Sequence, residues 1–337
     1  MSRPEALARE LTADLFVSLD GYAAGEGAGP YFGYAGPELE AWVRTNAERP
    51  QVALMGRVTY ETLARISAGD DASATLTALP KLVVSGTLEE PLGWANARLL
   101  RGDLATGLEA LKRQAGPPLR TIGSLTLVAS LLELGLVDRM RLLVFPLTLG
   151  DRGREPISRL PAGRLDLLDA RVLDGRLLLL EHRPRVTRVG RHLAAPRGVV
   201  YAALVDPAAI ARWKVPAGMT AHVHRFEARE GGAVRVSLTY EEPTEAGKTS
   251  ARTDTYHGRL VELVPGERVV EIDEFETSDP ALGGAMRTTI TLTDGDDGGT
   301  ELRAVHAGLP PGLSLADNEV GWSSALARLA ALVEDGA

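Results

Sequence analysis

Three short segments place phosphate-binding chemistry at strand–helix turns. In Met55-Gly56-Arg57-Val58-Thr59-Tyr60-Glu61 an apolar run ends at a glycine just before a helical stretch. Free amides at a helix start attract phosphate, and glycine lets the backbone come close to it. Arg57 adds a positive charge and Thr59 a hydroxyl. In Lys81-Leu82-Val83-Val84-Ser85-Gly86-Thr87 a strand-like run ends in two hydroxyl residues, Ser85 and Thr87. In Thr121-Ile122-Gly123-Ser124-Leu125 glycine again opens a helix. One such glycine alone is more often just a tight turn. Three on successive strands at one edge point to a site, because open α/β sheets bind ligands at the carboxyl ends of their strands.

The elements that must hold these turns follow from the hydrophobic periodicity. The pattern predicts strands over Leu11 to Leu19, Val52 to Met55, Lys81 to Val84 and Leu119 to Ile122. It predicts helices over Pro37 to Asn46, Thr59 to Arg65, Leu104 to Gln114 and Leu125 to Leu134, with Gly135 as a left-handed cap. This alternation implies a largely parallel sheet. Met140 to Phe145, Arg164 to Leu173 and Arg176 to His182 follow without helices between them. Asp174-Gly175 marks a hairpin between the last two, so the sheet ends antiparallel.

The second half has a different grammar. Val186 to Ala194 reads as a strand, and two short helices follow, one opening at Pro196 and one running from Asp206-Pro207 to Trp213. Strands then recur at Val234 to Tyr240, Ala251 to Leu263, Arg268 to Glu276, Ala285 to Thr293 and Thr300 to His306. A helix from about Asp317 carries Trp322, Ala325, Leu326, Leu329 and Leu332 on one face. This describes a curved antiparallel sheet gripping a helix. The expected domains are 1–184 and 185–337, with the boundary near Arg183-Pro184-Arg185.

The chain has 337 residues, enough for two domains, and 45% of them are apolar. The net charge of −8 is spread with no basic block, which argues against nucleic acid and anionic membrane as partners. No apolar stretch is long enough to span a bilayer, and Met1 to Leu11 carries charges throughout, unlike a signal peptide. A soluble cytoplasmic protein is the expectation. The absence of cysteine excludes disulfides, thiolate nucleophiles and cysteine-ligated metal.

The three turns occur together with Ser18-Leu19-Asp20-Gly21-Tyr22, Gly135-Leu136-Val137-Asp138, Leu149-Gly150, Gly153-Arg154-Glu155-Pro156-Ile157 and Leu173-Asp174-Gly175-Arg176-Leu177. In this order they resemble the dihydrofolate-reductase/riboflavin-reductase (RibD C-terminal) family over about residues 11–184. The resemblance implies a mixed sheet with flanking helices and NADPH as cofactor. It implies that Gly56, Arg57 and Thr59 hold phosphates and that Ser85 contacts the adenosine 2′-phosphate side. Gly123 and Ser124 would line the pyrophosphate, and Ala23 with a mobile Gly25 to Gly29 loop would cover the nicotinamide. A homodimer through this domain is compatible with it.

Two departures bear on function. The deaminase partner of the riboflavin enzymes needs zinc-binding cysteines, which this chain lacks. Dihydrofolate reductase needs an acid on its first long helix. Glu38 or Glu40 could serve, and Glu38 and Asp20 are the catalytic candidates. Both also have plain structural readings: Glu38 suits a helix start, and Asp20 suits a turn before Gly21.

Residues 190–335 resemble the activator-of-heat-shock-ATPase-like branch of the START-like (SRPBCC) superfamily. The supporting runs are Asp206-Pro207 to Arg212-Trp213, Pro216-Ala217-Gly218-Met219, Thr255-Tyr256-His257-Gly258 and Gly308-Leu309-Pro310-Pro311-Gly312. The resemblance implies an apolar cavity between sheet and terminal helix, with Trp213, Tyr256, His257 and Trp322 as its expected lining. His222 and His224 share a strand face, but a polar face is the preferred reading and no metal is expected. The leading reading is an NADPH-dependent reductase of a small heterocyclic or carbonyl-like substrate, fused to a domain binding an apolar small ligand. The alternative is a non-enzymatic ligand-binding or stress-regulatory protein.

Overall fold

The structure is a computed structural model that describes residues 9–68, 74–242 and 247–334. Residues 1–8 and 335–337, at the outer ends of the two expected domains, lie outside the described residues. The chain divides into two compact units, Met1–Pro184 and Arg185–Ala337.

The first unit is built from β1 (Leu11–Ser18), β2 (Tyr22–Gly25), α1 (Pro37–Glu48), β3 (Val52–Gly56), α2 (Arg57–Ser67), α3 (Ala74–Ala78), β4 (Lys81–Val84), β5 (Ala97–Leu100), α4 (Leu104–Arg113), β6 (Leu119–Thr121), α5 (Leu125–Glu133), β7 (Arg139–Phe145), β8 (Gly153–Pro156), β9 (Leu165–Leu173) and β10 (Leu177–Pro184). Eight strands form one sheet in the order β5-β4-β3-β6-β1-β7-β10-β9. The first six are parallel, and the β9–β10 hairpin closes the sheet antiparallel. β1 is buried along nearly its whole length because it is covered on both faces. One face packs on α4 and α5 through Leu108, Val128 and Leu131, and the other meets α1 through Leu39, Leu143 and Phe145.

Local signals set the helix ends. Asp103 caps α4 by accepting from the Thr106 N–H at 2.8 Å, and Gly135 follows α5 at φ 64°. β2, β5 and β8 are strands that the periodicity did not show, each only four residues long. β2 pairs with β8, so Ala23 to Gly25 is anchored strand rather than loop.

The second unit comprises β11 (Val186–Leu193), α6 (Arg197–Val205), α7 (Pro207–Trp213), β12 (Met219–Phe226), β13 (Ala233–Tyr240), β14 (Thr253–Val264), β15 (Arg268–Phe275), β16 (Met286–Asp294), β17 (Thr300–Ala307) and α8 (Leu315–Glu334). Seven strands form one antiparallel sheet, β11-β17-β16-β15-β14-β13-β12. α8 lays Ala325, Leu326, Leu329, Ala330 and Val333 against it. Asp206 caps α7 by accepting from the Ala208 and Ala209 N–H groups, and Pro207 opens the helix. One hydrophobic core joins sheet and helices. This is the helix-grip arrangement expected.

Candidate functional site

In the first unit, β3 and β6 are sheet neighbours, so the turns at their carboxyl ends lie side by side. Gly56 precedes α2 and no side chain caps the helix, which leaves its first N–H groups for a ligand. A Cβ at Gly56 would lie 3.0 Å from Ser124 Oγ, and one at Gly123 would lie 3.0 Å from Thr59 Cγ2 and Oγ1. Gly123 and Ser124 both take left-handed backbone, at φ 62° and 60°. Ser124 then caps α5, its Oγ accepting from the Leu127 N–H at 3.3 Å. Gly56, Thr59, Gly123 and Ser124 are thus brought together, with glycine where a side chain would close the turn.

Ser85 lies just past β4, the strand beside β3. Its Oγ accepts from the Thr87 and Leu88 N–H groups at 3.1 and 3.0 Å, and it lies 3.4 Å from Thr87 Oγ1, a contact in which either hydroxyl can donate. Arg57 is half-exposed and pairs with Glu61 at 3.1 Å. Such a surface pair is worth about 0–1 kcal/mol, so an incoming phosphate displaces it easily. Ala23 on β2 is half-buried against the core.

Both carboxylates singled out in the sequence have structural duties. Asp20 accepts from Ser18 Oγ at 2.6 Å, from the Leu149 N–H at 2.9 Å and from the Gly150 N–H at 2.8 Å. The Ser18 hydroxyl, then the Gly150 amide, holds it below the usual carboxylate range. It stays ionised, ties β1 to the loop after β7, and is unsuited to donate a proton. Glu38 and Asp174 clasp one another. Asp174 accepts from the Glu38 and Leu39 N–H groups at 2.9 and 3.0 Å, and the Glu38 carboxylate accepts from the Asp174 N–H. Glu38 therefore fastens α1 to the β9–β10 hairpin. Glu40 is the acid of the pair that faces a cleft of about 410 Å³, walled by Tyr31, Tyr34, Leu39, Glu40, Val43 and Arg44.

Tyr31 at this cleft and its neighbour Phe32 hold left-handed backbone, both at φ 53°. That conformation costs bulky residues about 1–2 kcal/mol each. Tyr31 packs edge-on against Phe16 of β1 at 5.4 Å. A buried cluster beneath α1 escaped the sequence reading. Asp14 pairs with Arg120 and with Arg141, and Arg141 also donates to Asn46 Oδ1 at 2.7 Å. The two guanidinium groups lie 5.9 and 5.2 Å from the Trp42 ring centre. Charged residues alternating on separate strands gave no local signal for it.

The second unit encloses a cavity of about 520 Å³ between sheet and α8. Tyr256 and Trp322 line it, as expected. Trp213 stands behind the wall: it packs edge-on on Trp322 at 6.3 Å, and its Nε1 donates to the Ala203 carbonyl at 3.0 Å. His257 is on the opposite face. Neighbours on a strand point oppositely, so with Tyr256 inward His257 is outward, exposed and 3.6 Å from Glu276. His222 and His224 stack at 4.4 Å on the exposed side. No group of three or more metal-ligating side chains occurs among the described residues.

The cavity is not purely apolar. Lys214, at the end of α7, pairs with Glu271, and Asp273, two residues along β15, lines the same cavity. His306 lies on the same wall, 4.2 Å from the Trp322 ring centre. Burial acts most strongly to lower the Lys214 ammonium, but its neighbours together, Glu271 first, outweigh it and raise it. Burial and the Glu271 charge push the Asp273 carboxyl up, and burial pushes the His306 imidazole down to about 3.

The mixed sheet with glycine-lined turns at its carboxyl edge defines an α/β domain with flanking helices, and the curved sheet around α8 a helix-grip domain. The chain belongs to the RibD C-terminal domain family, which it matches over residues 9–179, and residues 194–334 match the activator of Hsp90 ATPase homolog 1-like family. The first unit is accordingly a reductase-type domain. No curated protein matches the chain. A Chromobacterium violaceum protein of known structure is 37% identical, covering 44% of this chain and 97% of its own, with a TM-score of 0.40. A structure described as a riboflavin biosynthesis protein from Shewanella sp. PV-4 is 23% identical, covering 52% of this chain and 98% of its own, with a TM-score of 0.44.

Proposed function

We propose that the chain is an NADPH-dependent reductase of a small heterocyclic or carbonyl-like substrate, with a second unit that holds a small ligand. The observation that carries this reading is the pair of turns at the carboxyl ends of β3 and β6. There an uncapped helix start with Thr59 meets Gly123 and Ser124, glycine letting the two turns close on one another, and Arg57 opens the same helix. These residues fit a dinucleotide phosphate. Arg57 and the paired hydroxyls of Ser85 and Thr87 suit the extra 2′-phosphate.

NADPH, when bound, supplies a hydride. The chain's own task is to place the substrate and to exclude water. The α1 cleft offers aromatic walls from Tyr31 and Tyr34 and two carboxyls, Glu40 and Glu48, of which Glu40 is the candidate to hold or deliver a proton. Turnover tests the reading: carbonyl compounds and reducible heterocycles are screened with the full chain for NADPH oxidation at 340 nm. Substrate-dependent oxidation that Glu40→Gln slows supports it. Tight NADPH binding without oxidation by any of them leaves binding alone as the function.

A further inference from the structure

One stretch of the second unit's cavity wall belongs to neither sheet nor helix. β17 ends at Ala307 and α8 begins at Leu315, and the strap between them, 308–314, lines the cavity through Leu309, Gly312, Leu313 and Ser314. Leu309 and Leu313 are buried, at 1% and 7% exposure, yet they stand outside the core that joins sheet and helices. Gly312, Ser314 and the following Asp317 are exposed and line the same cavity. The strap therefore runs from the cavity's interior to its rim and forms the wall between ligand space and solvent on that side.

The strap is stiff in the middle and jointed at its ends. Pro310 and Pro311 have a fixed φ and no N–H to give to a ladder. Gly308 takes left-handed backbone at φ 75°, a conformation that glycine adopts without cost. At Gly312 a Cβ would lie 2.9 Å from the Ala281 carbonyl oxygen, which accepts the Gly312 N–H at 2.7 Å.

Arg185 gathers the strap's carbonyls. Its Nε donates to the Leu309 carbonyl at 2.9 Å, and its Nη2 to those of Pro310 and Leu313 at 2.8 and 2.6 Å. Its own carbonyl accepts from the Leu309 N–H at 3.4 Å. A guanidinium offers several donors in one rigid plane, which an ammonium cannot do. Arg185 is the one residue between β10 and β11, so the strap is tied to the point where the second unit begins.

The other walls are less able to move. The sheet is held by its ladders, and α8 by Ala325, Leu326 and Leu329 in the core. A ligand filling about 520 Å³ is covered over most of its surface, so its exchange needs a wall that gives way. Hydrogen bonds from a cation to carbonyls can hold such a wall and release it without disturbing core packing.

We propose that the strap 308–314 is the gate of this cavity and that Arg185 is the positioning residue that latches it. Ligand enters and leaves when the guanidinium releases the Leu309, Pro310 and Leu313 carbonyls and the strap swings on Gly308 and Gly312. The inference rests on reading the second unit as ligand-binding and adds how its ligand is exchanged.

Stopped-flow fluorescence of the full chain with N-phenyl-1-naphthylamine, a neutral apolar fluorophore, tests it. A latch sets the barrier in both directions. Arg185→Met, which removes charged hydrogen bonds, therefore raises the association and dissociation rate constants by the same factor, at least about tenfold, and moves Kd by less than about twofold. Arg185→Lys, with one compact charge, raises both by a smaller factor, and it carries the test if thermal unfolding shows that the Met variant does not fold. Met286→Trp, which fills the cavity, abolishes probe binding. Unchanged rates in a folded Arg185 variant overturn the proposal and leave the ligand-binding reading standing. A rise in dissociation alone, with a weaker Kd, also overturns it, because Arg185 then only shapes the wall. Probe binding that survives Met286→Trp, or no saturable binding to the wild type, overturns the proposal and the ligand-binding reading together.

Discussion

Two acids a helical step apart, Glu38 and Glu40, have different fates. Glu38 clasps Asp174, whereas Glu40 faces the cleft. Glu40→Gln is expected to lower kcat at least about tenfold with NADPH affinity unchanged, as for a group acting on substrate. Glu38→Gln is expected to leave kcat intact and cost about 1 kcal/mol of stability, the worth of one hydrogen bond. Parallel steady-state assays and urea unfolding separate the two, and the reverse pattern would exchange their roles. His306 makes a second residue-scale prediction. Unfolded, its imidazole titrates near 6.5, and burial in the fold holds it down to about 3. Between these values the unfolded chain binds the extra proton, so the stability His306 contributes is present above about 6.5 and is lost as pH falls toward 3. The difference in urea midpoint between wild type and His306→Gln should therefore shrink from about pH 7 to about pH 4. A pH-independent difference would place the imidazole in water.

At the scale of elements, β14 and β15 approach so closely at Gly258 that any side chain there strikes backbone. Gly258→Ala is expected to cost about 1–3 kcal/mol by overpacking, read as a lower thermal midpoint. An unchanged midpoint would mean the strands separate freely. The same scale shows what the sequence could disclose. The turns at Gly56 and Gly123 were legible because glycine, a hydroxyl and a following apolar period are all local. The hairpin at Asp174-Gly175 and the caps at Asp206 and Gly135 were legible for the same reason. The Glu38–Asp174 clasp was not, since its partners are 136 residues apart. The β2–β8 pair was not either, because four-residue strands show no period. The Lys214, Glu271, Asp273 and His306 group was assembled by sheet register from separate elements, which no local period discloses. His257 was misplaced for a simpler reason: Tyr256 and His257 are adjacent on a strand and cannot both face inward.

For the whole molecule, β10 ends at Pro184 and β11 begins at Val186, yet they belong to different sheets. Each unit closes its own core. Residues 1–184 and 185–337 expressed separately are therefore expected to unfold cooperatively, each with its own thermal midpoint. Absence of a transition in both pieces would show that the cores depend on one another. Among the described residues no helix is long and apolar enough to cross a membrane.

The proposed function depends on the glycine-lined turns at the carboxyl edge of the first sheet binding a nucleotide. Its most direct test is fluorescence titration of the full chain with NADPH and NADH, for wild type and Arg57→Ala. A charged hydrogen bond to the 2′-phosphate is worth about 1.5–3 kcal/mol, so NADPH should bind at least about tenfold more tightly than NADH. Arg57→Ala should bring the two affinities together by weakening NADPH alone. Equal affinities in the wild type, or no saturable binding of either cofactor, would contradict the account.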